Sequence, residues 1–240
     1  MRIKVYQIDA EKDSKGHGYE HDRKAMAHGR ADPAIYQCVF HGDIDGTALD
    51  DVYDAFHTFN HPYTGTYQGR SISDSDVVEV TPEQPGKSPV EPGCYFRGGT
   101  GWEKIEFDTS QCAEMKGIRV LMLLPGKAPV ETRVINKLSC WQKAVSRNGE
   151  ESLIEITVPF KDGTLTVSNE EAKLCGMEGN RRINGQIYAG PVLLVNDDGN
   201  GDFCDLTDRQ IAGYTDRFAQ PEDISQEEVQ SDIGFIFHAW

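Results

Sequence analysis

The stretch Ser110-Gln111-Cys112-Ala113-Glu114-Met115-Lys116-Gly117, running into Ile118-Arg119-Val120-Leu121-Met122-Leu123-Leu124-Pro125-Gly126, decides the fold. Residues 118–124 hold a single charge among six apolar side chains. A strand that apolar is buried on both faces, and Pro125-Gly126 ends it in a turn. The polar run before it suits a joint between two units. The chain therefore reads as α+β, two small mixed α/β-sheet modules in tandem. The first spans residues 1–112 and the second 113–220, with an acidic and aromatic C-terminal tail at 221–240.

Upstream of the joint, residues 2–8 alternate through Ile3, Val5, Tyr6 and Ile8 and predict a strand. Residues 35–40 predict a second. Residues 48–59 carry Leu49, Val52, Tyr53, Phe56 and Phe59 on one helical face. Thr47 stands where a cap belongs, and Asp50 and Asp51 fall in the first turn, where the helix dipole favours acids. Residues 77–80 predict a short strand. Residues 81–93 contain four prolines and two glycines, which excludes regular structure. A hairpin is expected from residues 94–97 and 102–107, around Gly98, Gly99 and Gly101.

Downstream, residues 130–134 predict a strand, and residues 137–147 a helix with Leu138, Trp141 and Val145 in register. Residues 153–160 and 164–167 flank Lys161-Asp162-Gly163, a hairpin signal. Asn169 caps a helical turn that Gly176 ends. Residues 187–195 predict one strand. Thr207-Asp208-Arg209-Gln210 has the form of a capping box ahead of Ile211, Tyr214 and Phe218. The tail closes on Ile233-Gly234-Phe235-Ile236-Phe237-His238-Ala239-Trp240, which either adds a strand to its own sheet, the expected outcome, or docks on something else.

The 240 residues include 39 acids and 24 Lys or Arg, a net charge of −15. Direct nucleic-acid binding is not expected, because phosphate contacts need a positive face. No apolar run approaches the ~20 residues that span a bilayer, so no membrane role is expected. The opening MRIKVYQIDAEKD has no extended apolar region, so no signal peptide is expected and the protein reads as cytoplasmic. The charge is unevenly placed. Between Arg30 and Arg70 there are six Asp and no base, and from Asn196 to Trp240 eleven acids face Arg209 and Arg217 alone. Those two segments account for the whole net charge. They are either solvated faces or a negative surface for a basic partner.

The six cysteines (38, 94, 112, 140, 175 and 204) form no CxxC pair, which argues against zinc ribbons and redox motifs and for reduced, buried thiols. His17, His21 and His28 lie in a polar stretch, and His57 and His61 straddle a helix end, so no metal and no cofactor is expected.

Asp43-Ile44-Asp45-Gly46-Thr47 has the form of the nucleophile motif of haloacid-dehalogenase phosphatases, and residues 192–198 that of their magnesium-holding strand. Against this, His41-Gly42 separate the motif from the expected strand, and hairpins occupy the place of helical crossovers. Asn196–Thr207 fails as a calcium loop, because Thr207 stands where a bidentate Glu is required, although Asp197, Asp198 and Asp202 leave room for a weakly held cation. Leu124-Pro125-Gly126-Lys127 lacks the earlier glycine of a P-loop. No catalytic residues are assigned. Asn180-Arg181-Arg182, flanked by Gly179 and Asn184-Gly185, reads as a loop with two arginines that could grip a phosphate.

These residues also carry a resemblance. Lys4-Val5-Tyr6-Gln7, Leu49 through Phe56, Gly69-Arg70-Ser71-Ile72-Ser73-Asp74-Ser75-Asp76-Val77-Val78, Cys94-Tyr95-Phe96 and Gly101-Trp102-Glu103-Lys104-Ile105 resemble the YodL-like domain of conjugative transposons in gut Firmicutes. The second module is similar to a phage and conjugative-transposon domain of unknown function, family 3846. The matching stretches are Leu123-Leu124-Pro125-Gly126-Lys127, Asn169-Glu170-Glu171-Ala172-Lys173-Leu174, Gly179-Asn180-Arg181 and Asp202 through Asp208. The resemblance supplies no catalytic residues. It implies cargo of a mobile genetic element, carried beside anti-defence proteins.

The expectation is a non-enzymatic accessory protein in a bacterial host cell. Acting as a DNA mimic, it would block a basic host defence protein through Asp43, Asp45, Asp50, Asp51 and Asp54, with Asp197, Asp198, Asp202, Asp205 and Asp208. The alternatives are sequestration of a nucleotide immune signal by Asn180, Arg181 and Arg182, or a structural or regulatory part in conjugation.

Overall fold

The computed structural model describes residues 1–22, 24, 26, 30–57, 66–81, 89–147 and 151–233. The chain divides into two compact units, Met1–Lys116 and Gly117–Trp240. Gly117 opens the second at φ +99, where its backbone passes too close to Val134 for any Cβ. Both units are small α+β modules.

In the first unit, β1 (Arg2–Ile8), β2 (Tyr36–Asp43), β3 (Val77–Thr81), β4 (Gly93–Gly98) and β5 (Gly101–Ile105) form one antiparallel sheet in the order β2-β1-β3-β4-β5. Both faces are covered. Ile3 and Val5 face a core closed by Val52 and Phe56 of α1 (Leu49–His57), and Tyr6 faces a second core with Tyr36, Cys94 and Phe96. The register slips opposite Val5/Tyr6, a bulge that turns both Val39 and Phe40 toward the α1 side.

The second unit contains β6 (Ile118–Leu123), β7 (Val130–Val134), α2 (Leu138–Ala144), β8 (Ile154–Thr157), β9 (Leu165–Asn169), β10 (Gly179–Ile183), β11 (Gln186–Ala189), β12 (Val192–Asp197), β13 (Phe203–Cys204), α3 (Asp208–Arg217) and α4 (Gln226–Ser231). Its main sheet runs β7-β6-β12-β9-β8, with β13 paired to β12. Val120 and Met122 pack under Trp141 of α2, while Leu121 and Leu123 pack under Tyr214 and Phe218, so β6 is buried on both faces as its composition predicts. Thr207 and Gln210 form the capping box of α3.

Four elements differ from the sequence reading. The stretch 187–195 is two strands, because Gly190 at φ +68 and Pro191 break it. The Gly179-Asn180-Arg181-Arg182 loop is a strand, β10, paired with β11. The strand β2 continues to Asp43, so His41-Gly42 do not separate the aspartate from a strand. The 221–240 stretch, read as a tail, holds a helix, α4, in its described part. Ser225 and Glu228 cap α4, and Ile224 and Val229 bury against Ala172, Met177 and Ala189. Phe59, His28, His61, most of the proline-rich stretch and residues 234–240 lie outside the described residues.

Candidate acidic faces and buried charges

The ten aspartates singled out for partner binding divide by what the fold does with them. Asp43 is 2% exposed, and Arg2 grips both its oxygens at 2.9 Å. It is removed from any binding surface, because a carboxylate paired this way is structural. The same pairing, in a sheet whose strands all pair antiparallel, argues against the phosphatase likeness of Asp43-Ile44-Asp45-Gly46-Thr47. Asp51 turns back on its own helix start and accepts from Thr47 N–H at 2.6 Å and Ala48 N–H at 2.9 Å, which holds its carboxyl below the usual range. Asp45 is exposed at the turn after β2, and Asp50 and Asp54 stand exposed on α1. Neither of the latter two makes an ion pair among the described residues.

In the second unit, Asp205 accepts from the Arg119 backbone at 2.8 Å and lies 3.6 Å from Arg133. Asp208 and Glu131 share the Arg119 guanidinium, Asp208 at 2.5 Å and Glu131 at 2.6 Å. Asp198 spends its oxygens on Asn200 and on the Asp202 N–H, and these bonds pull its carboxyl below the usual range. Asp197 accepts from Gly199 N–H, while Asp202 is exposed and unpaired among the described residues. Asp45, Asp198, Asp205 and Asp208 are exposed but engaged, whereas Asp50, Asp54, Asp197 and Asp202 are exposed with at most one backbone bond to their carboxylates among the described residues. Asp50 and Asp54 lie in one unit, Asp197 and Asp202 in the other.

The arginine pair is engaged within the fold. Arg181 is fully buried, donating to the carbonyls of Asn180 (2.8 Å), Lys127 (2.5 Å) and Phe218 (3.4 Å). Burial pushes its pKa down, and no carboxylate pairs with it among the described residues. Phe218 is the C-cap of α3, so the guanidinium sits at the negative end of that helix. Asn180 donates to the carbonyls of Leu123 and Gly190. Arg182 pairs with Glu222 and Glu228. All three side chains brace the Leu123–Lys127 turn, α3 and the start of α4, which leaves neither a solvated loop nor the alternative phosphate grip.

One cluster had no assigned role in the sequence. Asp76 is fully buried and accepts from Arg70 (2.7 and 3.0 Å), Gln7 (2.9 Å) and the Ser73 N–H (2.8 Å). Burial pushes its pKa up to about 6, against the pull of Arg70. Beside it Ser75 and Tyr19, both at positive φ, are joined by a 2.9 Å bond from Tyr19 N–H to the Ser75 hydroxyl. Ser-Asp-Ser-Asp ahead of an apolar strand is the only local signal for this cluster, and its partner Gln7 is 69 residues away.

Among the described residues, no group of three His, Cys, Asp or Glu side chains is placed to hold a metal ion, and no helix is long and apolar enough to cross a membrane. The cysteines are free thiols, but only Cys38 and Cys94 are buried; Cys112, Cys140 and Cys204 are half-buried and Cys175 is exposed. Burial pushes Cys38 up to about 12 and Cys94 up to about 11, values at which neither thiol is nucleophilic.

Residues 2–107 match the family model of the YodL-like domain, and residues 118–219 match that of a domain of unknown function, DUF3846. No curated protein and no solved structure matches the chain.

Proposed function

We propose that this protein, a YodL-like domain followed by a DUF3846 domain, is a non-enzymatic accessory protein of a bacterial mobile genetic element or phage. It binds a basic host defence protein in the cytoplasm through exposed carboxylates, competing as a DNA mimic for a nucleic-acid-binding surface. One observation carries this reading. After the fold has tied Asp43, Asp51, Asp205 and Asp208 to its own groups, Asp50 and Asp54 still project from α1, one turn apart and without a counter-ion among the described residues. Carboxylates arranged so give a negative field that steers a basic surface. The mobile-element setting follows from the domain resemblance.

The nucleotide-sequestering alternative has no observation in its favour, since Asn180, Arg181 and Arg182 are each engaged within the unit. A conjugation component would instead capture a protein of the element itself. The test is capture from a lysate of the natural host at low and high salt, with the chain and its Asp50→Lys/Asp54→Lys variant as baits. A basic protein held at low salt, released at high salt and absent from the folded variant is the expected result. Capture that the variant retains contradicts the proposal.

A further inference from the structure

The second unit opens a cleft of about 580 Å³ that none of the ten aspartates or the Asn180-Arg181-Arg182 group lines. Its walls come from β8, β9, the turn after β9, β11 and the residues that follow α4. Ser168 lies on this wall, is 4% exposed, and its hydroxyl has no hydrogen-bond partner among the described residues. Glu155 and Glu170 also line the cleft, and neither has an ion pair among the described residues. The single cation of the wall, Lys173, is already held by Asp232 at 2.7 Å. Leu174, 61% exposed, adds an apolar flank.

The Ser168 hydroxyl, on a buried residue and without a protein partner among the described residues, offers the cleft a free acceptor. Two free carboxylates beside it exclude an anionic guest and favour a cation that carries several N–H donors. We infer that this cleft binds an alkyl ammonium or guanidinium group, the head of a lysine or arginine side chain. Glu155 and Glu170 supply the charge, the Ser168 hydroxyl accepts one N–H, and Leu174 covers the methylene stem. The inference rests on the reading of the protein as a binder of a basic partner. A free polyamine presents the same chemistry.

The test is an NMR titration of the full ¹⁵N-labelled chain with Nα-acetyl-lysine amide, Nα-acetyl-arginine amide, spermidine and, as a neutral control, Nα-acetyl-norleucine amide. Saturable shifts at the amides of Ser168, Glu170 and Leu174 are expected with the cations and not with norleucine. Affinity should fall at least tenfold in Glu155→Gln/Glu170→Gln, whose exposed positions leave the fold intact, and in Ser168→Ala. Tighter binding of spermidine than of the amides would identify a free polyamine as the guest, and the reverse a side chain. No saturable shift with any cation, or equal shifts with norleucine, overturns the inference. Because the titration needs no protein partner, its failure alongside intact lysate capture would sink the cleft and leave the acidic-face reading standing.

Discussion

The two units bury charge in opposite ways. The first buries aspartates, Asp43 and Asp76, and gives each an arginine, Arg2 and Arg70. The second buries an arginine, Arg181, and surrounds it with backbone carbonyls and the end of a helix. An ion pair fixes two side chains to each other. A guanidinium on carbonyls fixes backbone to backbone, here the Lys127 turn to the end of α3. The second arrangement concentrates more of the unit's geometry on one residue, and its loss should cost more.

The largest effect is therefore expected at Arg181. Arg181→Ala removes the donor to the Asn180, Lys127 and Phe218 carbonyls and opens a cavity, destabilising the second unit by about 4 kcal/mol. Hydrogen exchange should show protection lost across β6 and β10 and kept across β1 and β3. Equal loss in both units would break the contrast.

Asp76 gives a smaller effect, and one that depends on pH. Its folded pKa of about 6 exceeds its unfolded value of 3.8, so the folded first unit holds the proton more tightly. The contribution of Asp76 should be fully present below about pH 4, fall by about 3 kcal/mol as pH rises through 6, and level off above. Asp76→Asn should flatten that slope in urea unfolding followed across the range. A slope that the variant keeps would assign it to another group.

Smaller still is the cap of α3. Thr207→Ala removes the hydroxyl that accepts from Gln210 N–H, a loss of about 1 kcal/mol read from the urea midpoint of the second unit.

Much of this frame was legible in the sequence, where local pattern decides the outcome. The strand at 130–134, the two-faced burial of β6 and the α3 capping box each depend on residues within one element. What failed was non-local. Gly179-Asn180-Arg181-Arg182 looks polar and loop-like because a buried arginine reads like an exposed one until the Lys127 and Phe218 carbonyls are known. The same holds for the aspartates. Asp43 and Asp54 are alike in sequence, and only the arrival of Arg2, 41 residues away, makes one structural and leaves the other free. The α4 cap, Ser225-Gln226-Glu227-Glu228, was readable, but the surrounding acidity made the segment resemble a tail.

The central claim is that the fold spends some of its acids on itself and leaves others for a partner. The most direct measurement takes Asp50→Asn/Asp54→Asn and Asp205→Asn/Asp208→Asn through the same urea unfolding and the same low-salt capture. The account predicts that the first variant unfolds within about 0.5 kcal/mol of the parent and loses the basic partner, while the second is less stable and keeps it. Capture lost only in the second variant, or untouched in both, would contradict it.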